Sequence, residues 1–450
     1  MPKWLDTAAT AWVEAEIRAR DRARIAALKA DPRGWRRWWL LFLLVGPGIL
    51  VMVADNDAGG VITYAQTGAG YGLGFYLPFL VLLGPVAYIV QEMTVRLGAV
   101  TRRGHAEMIW GRYGPFWGAF SLIDLVVANF LTLVTEFIGI TLGMQVLGVP
   151  PVASALAAVA LIAAVLLGLR YYTWERVSLG IAAGNLVFIP LALMAKPHWG
   201  AVGAAFLHWQ VRGGFTPAFL YVLLANLGTT IAPWMLFFQQ SSVVDKGLTE
   251  REIRHGQVDT AIGAAVMVAV ALAIVILTGS WLYGQPGSGQ WDMQRILVAL
   301  GAHLGRWGED LFALGLVEAG TIAAIAISAS TSWACGEAFG WPKSINLPPK
   351  VAWRFYLPGL ISLVAAALVV LVPGMPLGFL NLTVQVIATI FMPAAMLFLL
   401  LLLNDPEVMG EHVNRRWQNW AAGGIVLFLV AMNGLYGLSV VFPHAFAHWL

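Results

Sequence analysis

The sequence has little charge and almost no cysteine. Charged residues make up 11% of the 450 residues, less than half of the roughly 25% found in an ordinary soluble domain. Cys335 is the only cysteine, so neither an intramolecular disulfide nor a thiolate metal cluster can form within the chain. No nucleophile elbow, phosphate-binding loop or metalloprotease helix occurs. The sequence therefore predicts a protein that is not an enzyme and that needs no cofactor.

The abundant feature is long apolar runs. Hydrophobic residues reach 59% of the chain, and runs of roughly 20 residues, the length that crosses ~30 Å of hydrocarbon, recur along it. The pattern predicts an all-α polytopic membrane protein whose surroundings are a lipid bilayer and which needs no obligate protein partner. Eleven spans are expected, near residues 38–67, 74–98, 116–146, 151–170, 176–195, 215–243, 258–283, 309–335, 352–373, 377–403 and 419–442.

The distribution of Lys and Arg predicts the orientation. With the N-terminus inside the cell, 23 of the 27 basic residues fall on the cytoplasmic side, as the positive-inside rule requires. Four fall outside, namely Lys196, Arg212, Arg295 and Arg306. This asymmetry accounts for the net charge of +3 without any nucleic acid as partner. We expect an integral protein of the bacterial inner membrane, with the C-terminus outside.

The order of the spans predicts two related halves. Residues 1–37 are polar and form a cytoplasmic tail, and 38–195 form a first repeat of five helices. Because five is odd, a second repeat at 215–403 must enter the membrane with the opposite orientation. The eleventh span, 419–442, is then an addition to this inverted pair.

Two polar breaks lie at corresponding positions in these halves. Asp55-Asn56-Asp57-Ala58-Gly59-Gly60 interrupts the first span, and Gly228-Thr229-Thr230-Ile231-Ala232-Pro233 interrupts the sixth. Paired broken helices are the best sequence indication of a substrate site at the bilayer midplane of a secondary transporter. Unwound backbone carbonyls together with a carboxylate make a set of hard oxygen ligands. We expect Asp57 to be the central charge of the site.

Several motifs make the chain similar to one known family. They are Gly46-Pro47-Gly48, Asp57-Ala58-Gly59-Gly60 followed by Thr63, Gln66 and Gly68, Glu136-Phe137-Ile138-Gly139, the break in the sixth span, Gln385, Met409-Gly410-Glu411 and Val413-Asn414-Arg415-Arg416-Trp417. They resemble the natural-resistance-associated macrophage protein (Nramp) family of divalent-metal transporters. The resemblance implies a LeuT-like 5+5 inverted repeat with eleven transmembrane helices, broken in helices 1 and 6.

The resemblance also implies which residues bind the ion. The family's Asp-Pro-Gly-Asn is Asp57-Ala58-Gly59-Gly60 here, which keeps the carboxylate and loses an amide ligand. Its Met-Pro-His is Ala232-Pro233-Trp234, which loses the thioether, a soft ligand that favours transition metals over Mg²⁺. We therefore expect a wider site for a largely hydrated Mg²⁺. Its expected residues are Asp57, Thr229, Ala232 and Gln385, with Gly60, Asn56, Thr230 and Asp55 near the ion's water shell.

The departures also bear on proton coupling. Trp234 and Leu133 occupy positions where the family usually carries a histidine and an aspartate, and neither side chain relays protons. The pattern resembles the Nramp-related magnesium transporters and predicts a carrier for Mg²⁺ and Mn²⁺ that imports its ion by alternating access without proton coupling. A proton-coupled Mn²⁺/Fe²⁺ importer and a sodium-coupled organic-solute symporter are the alternatives. A transceptor that binds ions and signals is a third, although the chain offers no soluble output domain. Glu136 lines an aqueous path, pairs with a basic residue such as Arg354, or makes a packing hydrogen bond.

Overall fold

A computed structural model describes residues 46–211 and 214–442 of the chain. The predicted tail at 1–37 and the start of the first predicted span lie outside the described residues. The described residues form sixteen α-helices and no β-strand. The helices are α1 (Pro47–Ala54), α2 (Ala58–Tyr71), α3 (Tyr76–Thr101), α4 (His105–Val146), α5 (Pro151–Gly168), α6 (Tyr171–Ala182), α7 (Phe188–Met194), α8 (Trp199–Leu207), α9 (Pro217–Thr230), α10 (Pro233–Lys246), α11 (Ile253–Trp281), α12 (Met293–Phe339), α13 (Trp353–Val370), α14 (Leu377–Leu403), α15 (Pro406–Met409) and α16 (Arg416–Val441).

The transmembrane helices confirm the predicted all-α membrane class. Ten helical segments in the described part of the chain are long and apolar enough to cross a membrane. The pair α1 and α2 makes up the eleventh span. It is not among the ten because a break divides it into two pieces of 8 and 14 residues, each too short to cross a membrane alone. The last helix, α16, is mostly exposed, with Trp420 and Leu427 on its outer surface. Such a peripheral helix agrees with its predicted place outside the two repeats, whose boundaries stay predictions.

The two breaks form where the sequence supplies a cap or a proline. Asp57 is the N-cap of α2, with extended backbone and a side chain that accepts a hydrogen bond from the Gly60 N–H. Pro233 stands at the first position of α10, where its missing N–H leaves no intrahelical bond unmade. The two half-helices are therefore separated by three residues at the first break and by two at the second.

The half-helices are held by their neighbours in the bundle. α11 packs along α1, α2 and α3, while α14 packs along α9 and α12 packs along α4. Close approach at the breaks depends on two glycines. A Cβ at Gly228 would overlap the Gln385 carbonyl oxygen of α14, and one at Gly320 of α12 would lie 2.8 Å from the Glu136 carbonyl oxygen of α4.

Three helical features go beyond the predicted spans. α4 and α12 each begin with an extra helical segment that turns into the span at a left-handed glycine, Gly114 (φ 84°) and Gly305 (φ 76°). The fifth span is divided by a 3₁₀ segment, Ala183–Val187, between α6 and α7. A short helix, α8, lies in the connection to the sixth span.

Candidate functional site

Asp57 lies where the two halves of the first span meet. Its side chain is 2% exposed and accepts a hydrogen bond from the Gly60 N–H, so it caps the first turn of α2. The same carboxyl faces the side chains of Glu136 and Thr229. Asp57 thus anchors a half-helix and also presents negative charge to the space between the two breaks.

Glu136 of α4 binds the backbone of the first break. Its carboxylate accepts hydrogen bonds from the Ala58 N–H at 2.9 Å and from the Thr135 hydroxyl at 3.2 Å. The anticipated alternative of pairing with Arg354 is not formed, because that guanidinium lies over the Trp353 ring, 5.4 Å from its centroid. The packing interpretation therefore describes Glu136 in this structure, and its position beside Asp57 adds a second carboxyl to the site.

Gly60 allows oxygen atoms from both breaks to approach each other closely. A Cβ at this position would lie 2.6 Å from the Thr229 Oγ1, 3.1 Å from an Asp57 Oδ1 and 3.4 Å from the Asp55 carbonyl oxygen. The Thr229 hydroxyl has no hydrogen-bond partner among the described residues. A hydroxyl, a carboxylate and a main-chain carbonyl therefore surround one small volume.

Asp55 and Asn56 contribute further unsatisfied oxygens. Both side chains are fully buried, and neither carboxylate oxygen of Asp55 has a hydrogen-bond partner in the described chain. The Asn56 amide donates from Nδ2 to the Met267 carbonyl of α11 at 3.1 Å, which leaves its Oδ1 unpaired. Buried polar atoms are normally satisfied, so this concentration of free oxygens indicates a ligand-binding place.

Helix α14 brings Gln385 to the same place. The Gln385 Nε2 is buried without a partner among the described residues and faces Gly59. One turn earlier, Asn381 donates from Nδ2 to the Gly59 carbonyl at 3.1 Å and to the Thr63 hydroxyl at 3.3 Å. α14 therefore contacts the first break through side chains and the second through the Gln385 carbonyl beside Gly228.

Thr230 and Ala232 have partners of their own. The Thr230 hydroxyl donates to the Asn226 carbonyl at 2.8 Å and lies 3.0 Å from the Tyr64 hydroxyl. The Ala232 carbonyl accepts from the Met235 N–H at 3.2 Å, and its own N–H points to the Met235 sulfur at 3.5 Å. In this conformation the two residues shape the second break, and their contact with an ion stays a prediction.

The donor set consists mainly of oxygen. Within the described residues, no group of three His, Cys, Asp or Glu side chains is arranged to chelate a metal ion. Met235 is the thioether nearest the second break, one turn after the alanine at which the sequence loses the family's methionine. The indole of Trp234 is buried, and its N–H has no partner among the described groups.

Hydrogen bonds and an ion pair close the site on both sides. Toward the predicted outer side, the Asn226 amide donates to the Thr67 hydroxyl at 2.8 Å and joins α9 to α2. Toward the predicted cytoplasmic side, Lys246 pairs with Glu175 at 2.9 Å, with side-chain exposures of 1% and 4%. Asp259 accepts hydrogen bonds from the N–H groups at the start of α1. In this structure Asp55, Asp57, Thr229 and Gln385 are all at most 2% exposed.

Four polar residues around the site were not expected as its components: Tyr64, Thr67, Asn226 and Asn381. Spacing gave a partial signal. Thr63 and Thr67, like Asn381 and Gln385, are four residues apart in an apolar helix and so share one face. Which face of each helix points toward the breaks depends on how helices distant in sequence pack together, and a local sequence pattern cannot show this.

Two broken helices that meet at a buried, oxygen-rich site in an all-helical membrane bundle define an integral membrane transporter, not an enzyme. Sequence comparison gives the family. The model of the family described as natural resistance-associated macrophage protein-like matches residues 48–439. The chain therefore belongs to the Nramp family.

Individual relatives agree with this assignment. The chain is 29% identical to the divalent metal cation transporter MntH 1 of Pseudomonas aeruginosa, over 89% of this chain and 92% of that protein. It is 24% identical to MntH of Deinococcus radiodurans, covering 90% and 91% of the two chains.

Solved structures confirm the LeuT-like fold. A mutant of the Eremococcus coleocola manganese transporter superposes with a TM-score of 0.73, at 20% identity and 92% and 90% coverage. MhsT in complex with L-phenylalanine gives a TM-score of 0.57 at 15% identity, covering 87% of this chain and 98% of that one.

Proposed function

We propose that the protein is a carrier that imports divalent metal ions, Mg²⁺ and also Mn²⁺, by alternating access and without proton coupling. Membership of the Nramp family and the relatives named as divalent metal cation transporters support the ion class. The bacterial sources of those relatives support a place in the inner membrane. The distribution of basic residues supports a cytoplasmic N-terminus.

The observation that carries the proposal is a group of three buried carboxyls without a basic partner. Asp57 lies close enough to Asp55 and to Glu136 to interact electrostatically with each, although the three are not arranged to chelate an ion together, and no Lys or Arg of the described chain pairs with them. Isolated carboxylates at the middle of a bilayer are costly and are seldom kept without a partner or a function. A divalent cation supplies the missing positive charge.

The remaining ligands favour a hard ion that keeps part of its water. Mg²⁺ dehydrates reluctantly and is usually bound through one or two carboxylates with several waters retained. Asp57 provides the direct charge, and the Thr229 hydroxyl and the Asp55 carbonyl lie close to Gly60 on either side of the break. Asn56, Thr230 and the Asp55 carboxylate are assigned to the water shell, and Gln385 joins as the site occludes. Ala232 supplies an oxygen in conformations where its carbonyl is released from Met235.

Two substitutions support transport without proton coupling. Trp234 and Leu133 are both buried, at 1% and 0% exposure, and stand where the family resemblance implies a histidine and an aspartate. An indole and an isobutyl group exchange no proton at any physiological pH. The interior-negative membrane potential is then the driving force, at roughly 2.3 kcal/mol per elementary charge per 100 mV.

The test is ion uptake into proteoliposomes that contain an indicator for Mg²⁺ or Mn²⁺ together with a pH dye. We expect influx of both ions without internal acidification, in the wild-type protein and in a control variant Asp124→Asn, whose carboxyl lies in α4 away from the breaks. Mn²⁺ influx with acidification and no Mg²⁺ signal would instead establish the proton-coupled importer.

A further inference from the structure

Another carboxyl with buried oxygens, that of Glu318, lies on the opposite side of α12 from the ion site. Gly320 of α12 faces the first break, since a Cβ there would lie 2.8 Å from the Glu136 carbonyl oxygen and 3.3 Å from the Ala58 Cβ. Glu318 precedes it by two residues, which corresponds to about 200° around the helix and about 3 Å along it. Glu318 therefore lies at the depth of the ion site but points away from it.

Glu318 faces the 3₁₀ segment that divides the fifth span. A Cβ at Gly184 would lie 2.7 Å from the Glu318 Cγ and 3.4 Å from one carboxylate oxygen. About one turn earlier on α12, a Cβ at Gly315 would lie 2.7 Å from the Phe188 ring and 2.8 Å from the Val187 side chain. The absence of side chains at Gly184 and Gly315 thus lets the irregular part of the fifth span lie directly on the Glu318 carboxyl.

Asn185 is the polar partner in this contact. The Asn185 amide lies near the Glu318 carboxyl, but no hydrogen bond joins the two groups in this structure. Asn185 is 0% exposed, and all four side-chain oxygen and nitrogen atoms of the pair lack a hydrogen-bond partner in the described structure. A 3₁₀ segment inside a longer helix often marks a hinge, and a rotation of this segment is the movement that the pair would need to form a hydrogen bond.

No basic residue of the described chain offers a counter-charge to Glu318. The 3₁₀ segment and α5, which packs on α12, contain no titratable side chain. On α6, the helix before the 3₁₀ segment, Glu175 pairs with Lys246, and Arg176 is exposed. The other acidic residues considered are Glu136 and Asp124 on α4 and, toward the predicted outer end of α12, Glu309 and Asp310.

A neutral Glu318 can pair with both the oxygen and the nitrogen of the Asn185 amide, whereas an ionised one can only accept from the nitrogen and leaves the amide oxygen unpaired. A carboxylic acid has one O–H donor and one carbonyl acceptor, and an amide has the complementary acceptor and donors. The protonated Glu318 can donate to Asn185 Oδ1 and accept from Asn185 Nδ2, which satisfies both groups. An ionised Glu318 would instead be an unpaired charge at membrane depth.

We propose that Glu318 and Asn185 form a proton-binding site, separate from the ion site, at the bend of the fifth span. The Glu318 carboxylate takes one proton from water, and the resulting O–H bonds to the Asn185 amide and joins the 3₁₀ segment to α12. The assignment does not rest on the identity of the transported ion.

Infrared difference spectroscopy of the full-length protein in liposomes tests it directly. We expect the wild type to show, at neutral pH, a carbonyl band of a protonated carboxyl that is lost in Glu318→Gln. The band should remain in Glu309→Gln, the matched change on the outer end of the same helix. A spectrum of Glu318→Gln that retains every such band would overturn the proposal.

A second variant tests the Glu318–Asn185 hydrogen bond without changing the carboxyl. Asn185→Leu keeps the carboxyl and removes its partner, so the Glu318 carbonyl band should shift to the higher frequency of a free acid. An unshifted band in Asn185→Leu would show that the pair does not form. This variant also decides the question if Glu318→Gln does not fold.

Discussion

Replacing Asp57 with Asn separates its two roles at the first break. Asn and Asp are about equally good helix N-caps, so Asp57→Asn keeps the bond to the Gly60 N–H while it removes the charge. At ~4 Å and an effective dielectric constant of about 20, a unit charge pair interacts by roughly 4 kcal/mol, and a divalent ion by about twice that. If desolvation cancels two thirds, about 2.7 kcal/mol remains, which corresponds to a loss of roughly 100-fold in affinity.

The assay is Mg²⁺ binding by calorimetry, with thermal unfolding of the same samples. Asp57→Asn should unfold at a temperature close to that of the wild type, yet bind and transport Mg²⁺ at least about 100-fold more weakly. Asp57→Ala should lose transport too and should also lose about 1 kcal/mol of stability, because the cap is gone. Asp124→Asn is the control for removal of an intramembrane carboxyl. Wild-type uptake by Asp57→Asn would refute the central role of this charge.

Three further changes test other parts of the site. Gly60→Ala places a methyl group among the oxygens around the first break and should reduce Mg²⁺ uptake at least about tenfold, with folding checked by circular dichroism; undiminished uptake would show that the ion lies elsewhere. Ala232→Met should raise the affinity for Cd²⁺ and Mn²⁺ relative to Mg²⁺, whereas Met235→Leu should leave that preference unchanged; the opposite pattern in binding assays would assign the soft ligand to the later residue. Lys246→Met leaves the Glu175 charge buried and unpaired, a change that costs roughly 3–5 kcal/mol in comparable ion pairs, and should increase hydrogen–deuterium exchange in α1; unchanged exchange would contradict its part in closing the cytoplasmic side.

The transmembrane helices could be predicted because each depends on local composition. A run of about 20 apolar residues has no other stable place than a bilayer or a protein interior, so the predicted spans and the observed helices coincide closely. The first break was predictable for the same reason. Asp57 and Gly60 are a capping residue and a residue of low helix propensity at their own positions, whatever surrounds them.

The contact of the fifth span with Glu318 could not be predicted, and the 3₁₀ segment could be predicted only as an irregularity. Gly184 has low helix propensity, and Pro190 cannot donate a hydrogen bond to the Leu186 carbonyl, so the local sequence disfavours a regular α-helix here. The change accompanies a contact with α12, a helix more than 100 residues later in the chain. Such a contact depends on the mutual fit of two surfaces and leaves no periodic signal.

The sequence by itself determined the membrane class, the number of spans, the positions of the two breaks and the family, since these follow from hydropathy, helix-breaking residues and motifs read in order along the chain. The tertiary structure decided which polar groups share a site. It places Thr229 near Asp57, it brings the Thr230 hydroxyl into hydrogen-bond distance of Tyr64, and it lets Glu136 accept a hydrogen bond from the Ala58 N–H. The physical reason is that hydrogen bonds and ion contacts act over about 3 Å, and only the packed bundle brings residues from distant helices to that distance.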